Sequence, residues 1–413
     1  MVTTTTQRTD GAHPYVELSR VPGGVAMSAS GFVARLPISM LGIGYVLLVS
    51  QATGSYALAG AVSATSALAL ALVAPAVSRM VDRFGQTRVA PTAMAIHAVG
   101  LIGLIVAVDL DWPAWTFLAF AVLTAFLPNI GSFVRARWAT MLPGRPLLRT
   151  AMSVESVIDE LVFVVGPPLV TILAASQSPS VALTLVLVIG VAGLALFLRQ
   201  RSSEPEPQPH HGGAGSLLRL PGMVPVLMVS LWLGGAFGAV EVVTVAWGRE
   251  VGHSSWSGLV LATWALGSLI AGLIYGARHS ARSLDRQLVL GSTAFALLLM
   301  GLLLPPSLGQ LCVVALASGF GIAPTIIVVV SCVERLVPAA RITEGLTWVT
   351  TGIVLGVAAA APLAGWVVDQ AGVHRAYIVP VVSALAGAAF AIGSRRRVGV
   401  ALGASPAVEP LPA

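Results

Sequence analysis

Twelve apolar runs, each long enough to cross a bilayer, follow one another along the 413-residue chain. Crossing about 30 Å of hydrocarbon at 1.5 Å per residue takes about 20 residues. The runs fall near 30–50, 56–78, 89–109, 113–134, 150–174, 180–198, 223–247, 257–276, 287–305, 309–332, 343–368 and 376–394. They predict an all-α membrane protein of twelve transmembrane helices. Between the sixth and seventh runs lies RQRSSEPEPQPHHGGAGSLLR (199–219), whose Pro, Glu, His and Gly cannot build a core. The expected organisation is a cytoplasmic arm over 1–29, a six-helix half over 30–198 and a linker over 199–222. A second six-helix half over 223–394 and a disordered tail over 395–413 complete it.

Composition agrees with this pattern. Only 10% of residues are charged, against about 25% in a soluble protein, and 56% are hydrophobic. All 23 basic residues are arginine, so the chain offers no lysine for a phosphate loop or a pyridoxal Schiff base. The net charge of +6 alternates with apolar runs instead of forming one patch. Its expected partner is therefore the lipid headgroup layer and not nucleic acid. With the N-terminus in the cytoplasm, twenty arginines fall in inner segments, and only Arg249 and Arg375 in outer loops. Trp112, Trp115, Trp247, Trp256 and Trp366 fall at the outer boundary, as an aromatic belt would. The expected setting is the plasma (inner) membrane, with both termini cytoplasmic. Cys312 and Cys332, about 30 Å apart on one expected helix, are beyond disulfide reach. No GxSxG, HExxH, GxGxxG or paired Cys/His site occurs, so no enzyme activity, cofactor or metal is expected.

Charge inside an apolar run costs at least roughly 2.5–3.5 kcal/mol and marks a pathway, a partner or a switch. The fifth run, Arg149–Thr171, holds three of the 17 acids: Glu155, Asp159 and Glu160. Counted from Arg149, Glu155 lies about 9 Å deep and Asp159 about 15 Å, near the midplane. Four residues apart, these two share a face, while Glu160 points toward another helix. Arg35 lies about 8 Å from the inner edge of the first run, and Glu241 about 12 Å from the outer edge of the seventh. His97, midway along the third, is either a hydrogen-bonded packing residue or a proton relay.

The two halves resemble each other. Ala59-Gly60 with Ala64-Thr65 matches Ser257-Gly258 with Ala262-Thr263, and Pro128 precedes Pro143 much as Pro324 precedes Pro338. Such a repeat places a substrate site near the midplane between the halves. Setting Thr150 against Thr343 puts Trp348, Gly352 and Ile353 opposite Glu155, Asp159 and Glu160. Helix packing alone therefore does not call for those acids.

The loop after the second run, Ser78-Arg79-Met80-Val81-Asp82-Arg83-Phe84-Gly85-Gln86-Thr87-Arg88, resembles the signature of the major facilitator superfamily. Asp82, Arg83 and Gly85 match it; Ser78 replaces its first glycine and Gln86-Thr87 its basic pair. The whole layout is similar to actinobacterial sugar- or drug-efflux permeases of that family. Gly166-Pro167 resemble the centre of the antiporter motif of drug exporters, with Val162 in place of its leading glycine. A proline there removes a helical hydrogen bond and kinks the helix.

The resemblance implies a monomeric secondary transporter working by alternating access. Asp82, Arg83 and Gly85 would form a cytoplasmic gate latch with Arg135 as partner, or the arginines would be inner-face anchors only. Because first and fifth helices are neighbours in this family, Arg35 would pair with Glu155, or else reach the inner headgroups. Helices one, four, seven and ten line the family's cavity, which makes Glu241, Asn129, Trp232 and Thr325 cavity candidates. Asp159 or Glu241 would exchange protons, or the acids form a fixed network. The leading expectation is proton-coupled efflux of a small organic molecule, a drug-like compound, sugar or metabolite. The alternative is uptake or facilitated passage of a sugar or metabolite, and a remote one is a non-transporting sensor or scaffold.

Overall fold

Inside hydrocarbon a chain must satisfy its backbone polar groups within each segment, and helices do so locally. In the computed structural model, which describes residues 14–143, 147–206, 217–277, 282–304, 307–338 and 342–404, every regular element is helical. Among the described residues, eleven stretches are long and apolar enough to cross a membrane. The twelfth crossing is assembled from two short helices. In chain order, spans 1 to 6 are Gly24–Thr53, Tyr56–Phe84, Gln86–Asp109, the pair Ala114–Thr124 and Ile130–Met141, Leu147–Ser176 and Pro179–Leu198. Spans 7 to 12 are Met223–Glu250, Ser255–Ala277, Leu284–Leu299 with its extension Met300–Leu303, the pair Leu308–Gly319 and Ile322–Leu336, Ile342–Ala371 and Ile378–Ala404. We call the side carrying the span 6–7 connection the linker face and the opposite side the far face.

Local chemistry sets the boundaries. Ser55 and Ser178 cap spans 2 and 6 by accepting the amides of Leu58 and Val181. Gly85, with φ +88°, turns span 2 directly into span 3, a conformation that disfavours any side chain. Span 4 breaks at Pro128, and the Asn129 side chain restarts it by accepting the Ser132 amide. Span 10 breaks at Phe320–Gly321, before Pro324, so both halves carry a broken fourth helix. Cys312 and Cys332 consequently sit on separate helices, both as free thiols.

Three sequence expectations need correction. Span 12 does not stop at 394: it continues to Ala404, because Val398 and Ala401 are buried and Arg395 pairs with Asp285 at 3.0 Å. The arm over 1–29 gives way at Pro14–Ser19 to a short helix, and span 1 begins at Gly24, its first turns buried against Trp138. Trp247 is not a belt residue. It is 3% exposed and stacks on Trp256, whereas Trp112, Trp115 and Trp366 are exposed.

Within each half, spans 1 and 7 are central, packing on spans 5 and 6 and on spans 11 and 12 respectively. The halves meet along spans 2 and 11 and along spans 5 and 8, while spans 4 and 10 pack mainly within their own halves. The apolar core follows the same division. One continuous core fills the far-face side of both halves, drawing on Val46, Ala59, Val243 and Ala361. Toward the linker face it splits into two, one around Met27, Phe133 and Phe197, the other around Met223, Val329 and Val398.

Candidate functional site

Glu155 and Asp159, one turn apart on span 5, both face span 1. Glu155 is fully buried and receives three donors: Arg35 Nη2 at 2.5 Å, Ser28 Oγ at 2.5 Å and Trp138 Nε1 at 3.0 Å. The other Arg35 nitrogen, Nη1, lies 2.8 Å from Asp159 Oδ1. The second oxygen of Asp159 takes Arg135 Nη2 at 2.6 Å. The result is an alternating chain, Glu155–Arg35–Asp159–Arg135, that ties together spans 1, 4 and 5. Two positive and two negative groups cancel, which offsets the desolvation that a lone charge would suffer there.

The cluster is graded in exposure. The Arg35 side chain is 4% exposed and Glu155 0%, but Asp159 is 37% and Arg135 34%. Its buried end has the contacts of a fixed strut. Its open end has room to change partners. Arg135, expected beside Asp82, is thus engaged with Asp159.

The remaining polar candidates separate. Glu160 leaves this face and lies against Ser268 of span 8, in the other half. Glu241, on span 7, approaches span 1 at Gly42 so closely that a methyl group on Gly42 would come within 2.4 Å of Glu241 Oε1. That oxygen is buried and has no hydrogen-bond partner among the described residues. His97 is 1% exposed, with Nδ1 2.6 Å from the Thr124 carbonyl at the break of span 4, so it satisfies a freed backbone group. Thr325 is buried inside the second half and donates to the Gly321 carbonyl at 2.6 Å. Trp232 faces a groove between spans 7, 11 and 12, and Asn129 serves as a helix cap. The structure therefore does not gather Asn129, Trp232 and Thr325 around one space. Gly166 seats span 5 against Ser39 of span 1, and the Ser39 hydroxyl donates to the Val162 carbonyl at 2.8 Å. Pro167 lies in the same helix beside Pro168.

In the span 2–3 turn, Asp82 and Arg83 are exposed, with Arg83 over the Phe84 ring. Gln86 and Thr87, where the signature has basic residues, have structural work of their own. Gln86 Oε1 accepts Arg137 Nε at 2.8 Å, and the Thr87 amide and hydroxyl both donate to Glu204. Arg137 is fully buried, stacks over Phe197 and also donates to the Gln200 carbonyl at 2.7 Å. Burial alone would push the Glu204 carboxyl up. The Thr87 hydroxyl and amide, the Arg137 charge and the Gln86 amide outweigh it and hold that carboxyl below the ordinary glutamate range.

Sequence reading passed over several contacts between the halves. Asp369, near the end of span 11, accepts the Tyr56 and Ala57 amides at 2.9 and 2.8 Å and the Ser55 hydroxyl at 3.1 Å, capping span 2 across the seam. Arg249 Nη1 donates to the Ser50 carbonyl at 2.6 Å. A methyl on Gly60 would come within 2.6 Å of the Ala361 carbonyl oxygen, and one on Gly258 within 2.6 Å of that of Pro167. The matched Ala59-Gly60 and Ser257-Gly258 pairs thus mark close crossings of helices from opposite halves. All these contacts lie from the midplane toward the far face. Arg137 and Asp369 carried no sequence signal beyond their charge, since their partners are mostly backbone groups.

The family model of the Major Facilitator Superfamily matches residues 27–308 and 257–410. Among solved structures, a mutant of the peptide transporter POT is similar over 95% of this chain and 100% of its own, with TM-score 0.72 and 14% identity. A POT family transporter in complex with 5-aminolevulinic acid covers 91% of this chain with 96% of its own, at TM-score 0.71 and 12% identity. A mutant of the nucleoside transporter NupG covers 90% of this chain with 98% of its own, at TM-score 0.70 and 13% identity. No curated protein matches the chain.

Proposed function

The chain belongs to the Major Facilitator Superfamily of membrane transporters, and we propose that it carries out proton-coupled efflux of a small organic molecule by alternating access. The linker face is the cytoplasmic side in this reading, which the arginine distribution supports. The conformation described is the one open to the cytoplasm, because the core is shared at the far face and divided at the linker face. Asp82, Arg83 and Gly85 act at the cytoplasmic gate when the linker-face ends of the halves come together.

The observation that carries the coupling is Glu241 Oε1, buried and unpartnered where span 7 meets span 1. An ionised carboxylate without a partner in that seam costs several kcal/mol, so the seam closes around the neutral acid and opens as the proton leaves. Asp159, held by two arginines and a third exposed, is the second exchange point. Its release from Arg135 frees a cation and an anion into the cytoplasmic opening. Glu155 stays ion-paired throughout.

That exposed pair of opposite charges also favours a second reading: uptake of a small zwitterion, with a carboxylate taken by Arg135 and an amine by Asp159. The solved peptide transporter POT shares this fold. Proteoliposomes under an imposed pH gradient separate the readings, with ethidium as cationic probe and dialanine as zwitterion. Gradient-driven ethidium export that is at least tenfold weaker in Glu241→Gln supports the efflux reading. Dialanine import in its place establishes the second. Unchanged gradient-driven transport in both Asp159→Asn and Glu241→Gln removes the proton role.

A further inference from the structure

One cavity lies within the second half and not between the halves. It is a groove of about 310 Å³ whose floor is span 7 and whose walls are spans 11 and 12. Its deep end is at Leu231 and Gly356, and its wall follows span 11 through Ala360 and Leu363 to Val367. Eleven residues of helix measure about 16 Å. That is one leaflet of hydrocarbon, about 15 Å, running from the far-face end of span 11 to the midplane.

The two halves differ in the residues beneath this groove. Spans 1 and 7 both begin at a left-handed glycine, Gly23 and Gly222. Thirteen residues later stand Leu36 in span 1 and Gly235 in span 7. Setting Thr150 against Thr343 likewise places Phe163 opposite Gly356. Two large side chains of the first half are therefore glycines in the second, where they let the helices close at the midplane end of the groove. A methyl on Gly356 would come within 1.8 Å of the Leu231 carbonyl oxygen, and one on Gly235 within 2.3 Å of Ser383 Oγ.

The mouth is charged. His374 and Arg375 lie on the short helix Val373–Ala376, which runs through a helical Tyr377 into span 12. Arg375 is exposed and precedes Ile378, Val379 and Val382 by three, four and seven residues, so it stands on the helical face that forms the groove wall. The acid of the span 11 end, Asp369, already accepts donors from span 2 on both oxygens. Trp366, 55% exposed and one turn beyond Leu363, stands at the same level, where indole rings favour the headgroup boundary.

We propose that this groove binds one anionic phospholipid of the far-face leaflet, with an acyl chain along span 11 and the phosphate on Arg375. A chain one leaflet long, an apolar slot of that length and a cation at its membrane-surface end match in order and in charge. The site is separate from the transport path, so it stands or falls independently of the direction or coupling proposed above.

Ala359 lines the groove and is exposed, so a larger side chain there fills the slot without displacing protein. The full chain is reconstituted in nanodiscs of equal phosphatidylcholine and phosphatidylglycerol, and the lipid retained on release is counted by native mass spectrometry. The expected result is one phosphatidylglycerol held by the unaltered protein, and at least fivefold less in Ala359→Phe. Arg375→Gln should retain lipid but lose the preference for phosphatidylglycerol. Should Ala359→Phe fail to fold, Val382→Phe fills the slot from the opposite wall, where the residue is 52% exposed. Equal retention by a folded filled variant, absence of headgroup preference in the unaltered protein, or displacement of the lipid by ethidium would each overturn the proposal.

Discussion

Glu155 has no exposed surface and three donors, so its charge depends wholly on its partners. Removing Arg35 leaves that carboxylate buried beside only neutral donors, a change that costs about 3–5 kcal/mol. Arg35→Ala should therefore lose most of its folded yield and melt well below the unaltered protein in detergent. The double variant Arg35→Met with Glu155→Met, which removes both charges and keeps the volume, should recover most of that loss. Additive melting shifts of the two single variants would show that the pair contributes nothing as a pair. The positions of Arg35 and Glu155 could be read from the sequence because depth follows from counting residues along a helix. Ser28 and Trp138 could not. Nothing in a serine or tryptophan among apolar residues announces that it faces a carboxylate on another helix, whether 127 positions away, as for Ser28, or 17, as for Trp138. Arg135 was set against Asp82 for a similar reason. Both fall at the same end of their spans, and only rotation about the helix axis separates one neighbour from another.

Among elements, the span 2–3 turn shows how a departure from a signature can be informative. Gln86 and Thr87 occupy the positions of two basic residues and instead hold the segment after span 6 through Arg137 and Glu204. Glu204, its carboxyl held below the ordinary range, binds fewer protons in the docked segment than in a free one. Its contribution is therefore complete above the ordinary glutamate value and fades as pH falls through the lowered one. The hydrogen-exchange protection of residues 199–206, taken against the intrinsic rate at each pH, should fall between about pH 5 and pH 3 in the unaltered protein. In Glu204→Gln that protection should be lower at neutral pH and flat across this range. A profile unchanged by the substitution would place the docking elsewhere. The breaks in spans 4 and 10 were half legible. Pro128 and Pro324 were visible, but a proline can kink a helix or end it, and only the packing of its freed carbonyls decides. At span 4 the Thr124 carbonyl goes to His97, which makes a lone intramembrane histidine part of the break.

For the whole molecule, the twelve spans and their division into equal halves were plain in the chain, because bilayer thickness and the polar linker impose them. The seam was not. It is made of close backbone approaches at Gly60 and Gly258 and of Asp369 on amides, features that composition does not reveal. Asp369 stabilises the far-face junction by capping span 2, which is worth about 1 kcal/mol, or roughly a fivefold population shift. Spin labels at Gln177 and His253, exposed far-face positions in opposite halves, should report this by pulsed electron resonance. Asp369→Ala should enlarge the long-distance population roughly fivefold. An identical distribution would mean that the cap does not hold the junction.

The undivided core at the far face has a thermal consequence. Parting the halves there wets side chains such as Val46 and Val243 that are now within one apolar mass. Exposure of apolar surface raises heat capacity, by about 0.45 cal/mol/K for each square ångström. Unless closure at the linker face buries an equal area, the two conformers differ in heat capacity as well as in energy. The balance between them then curves with temperature, and the rate of turnover inherits that curvature even if every chemical step is simple.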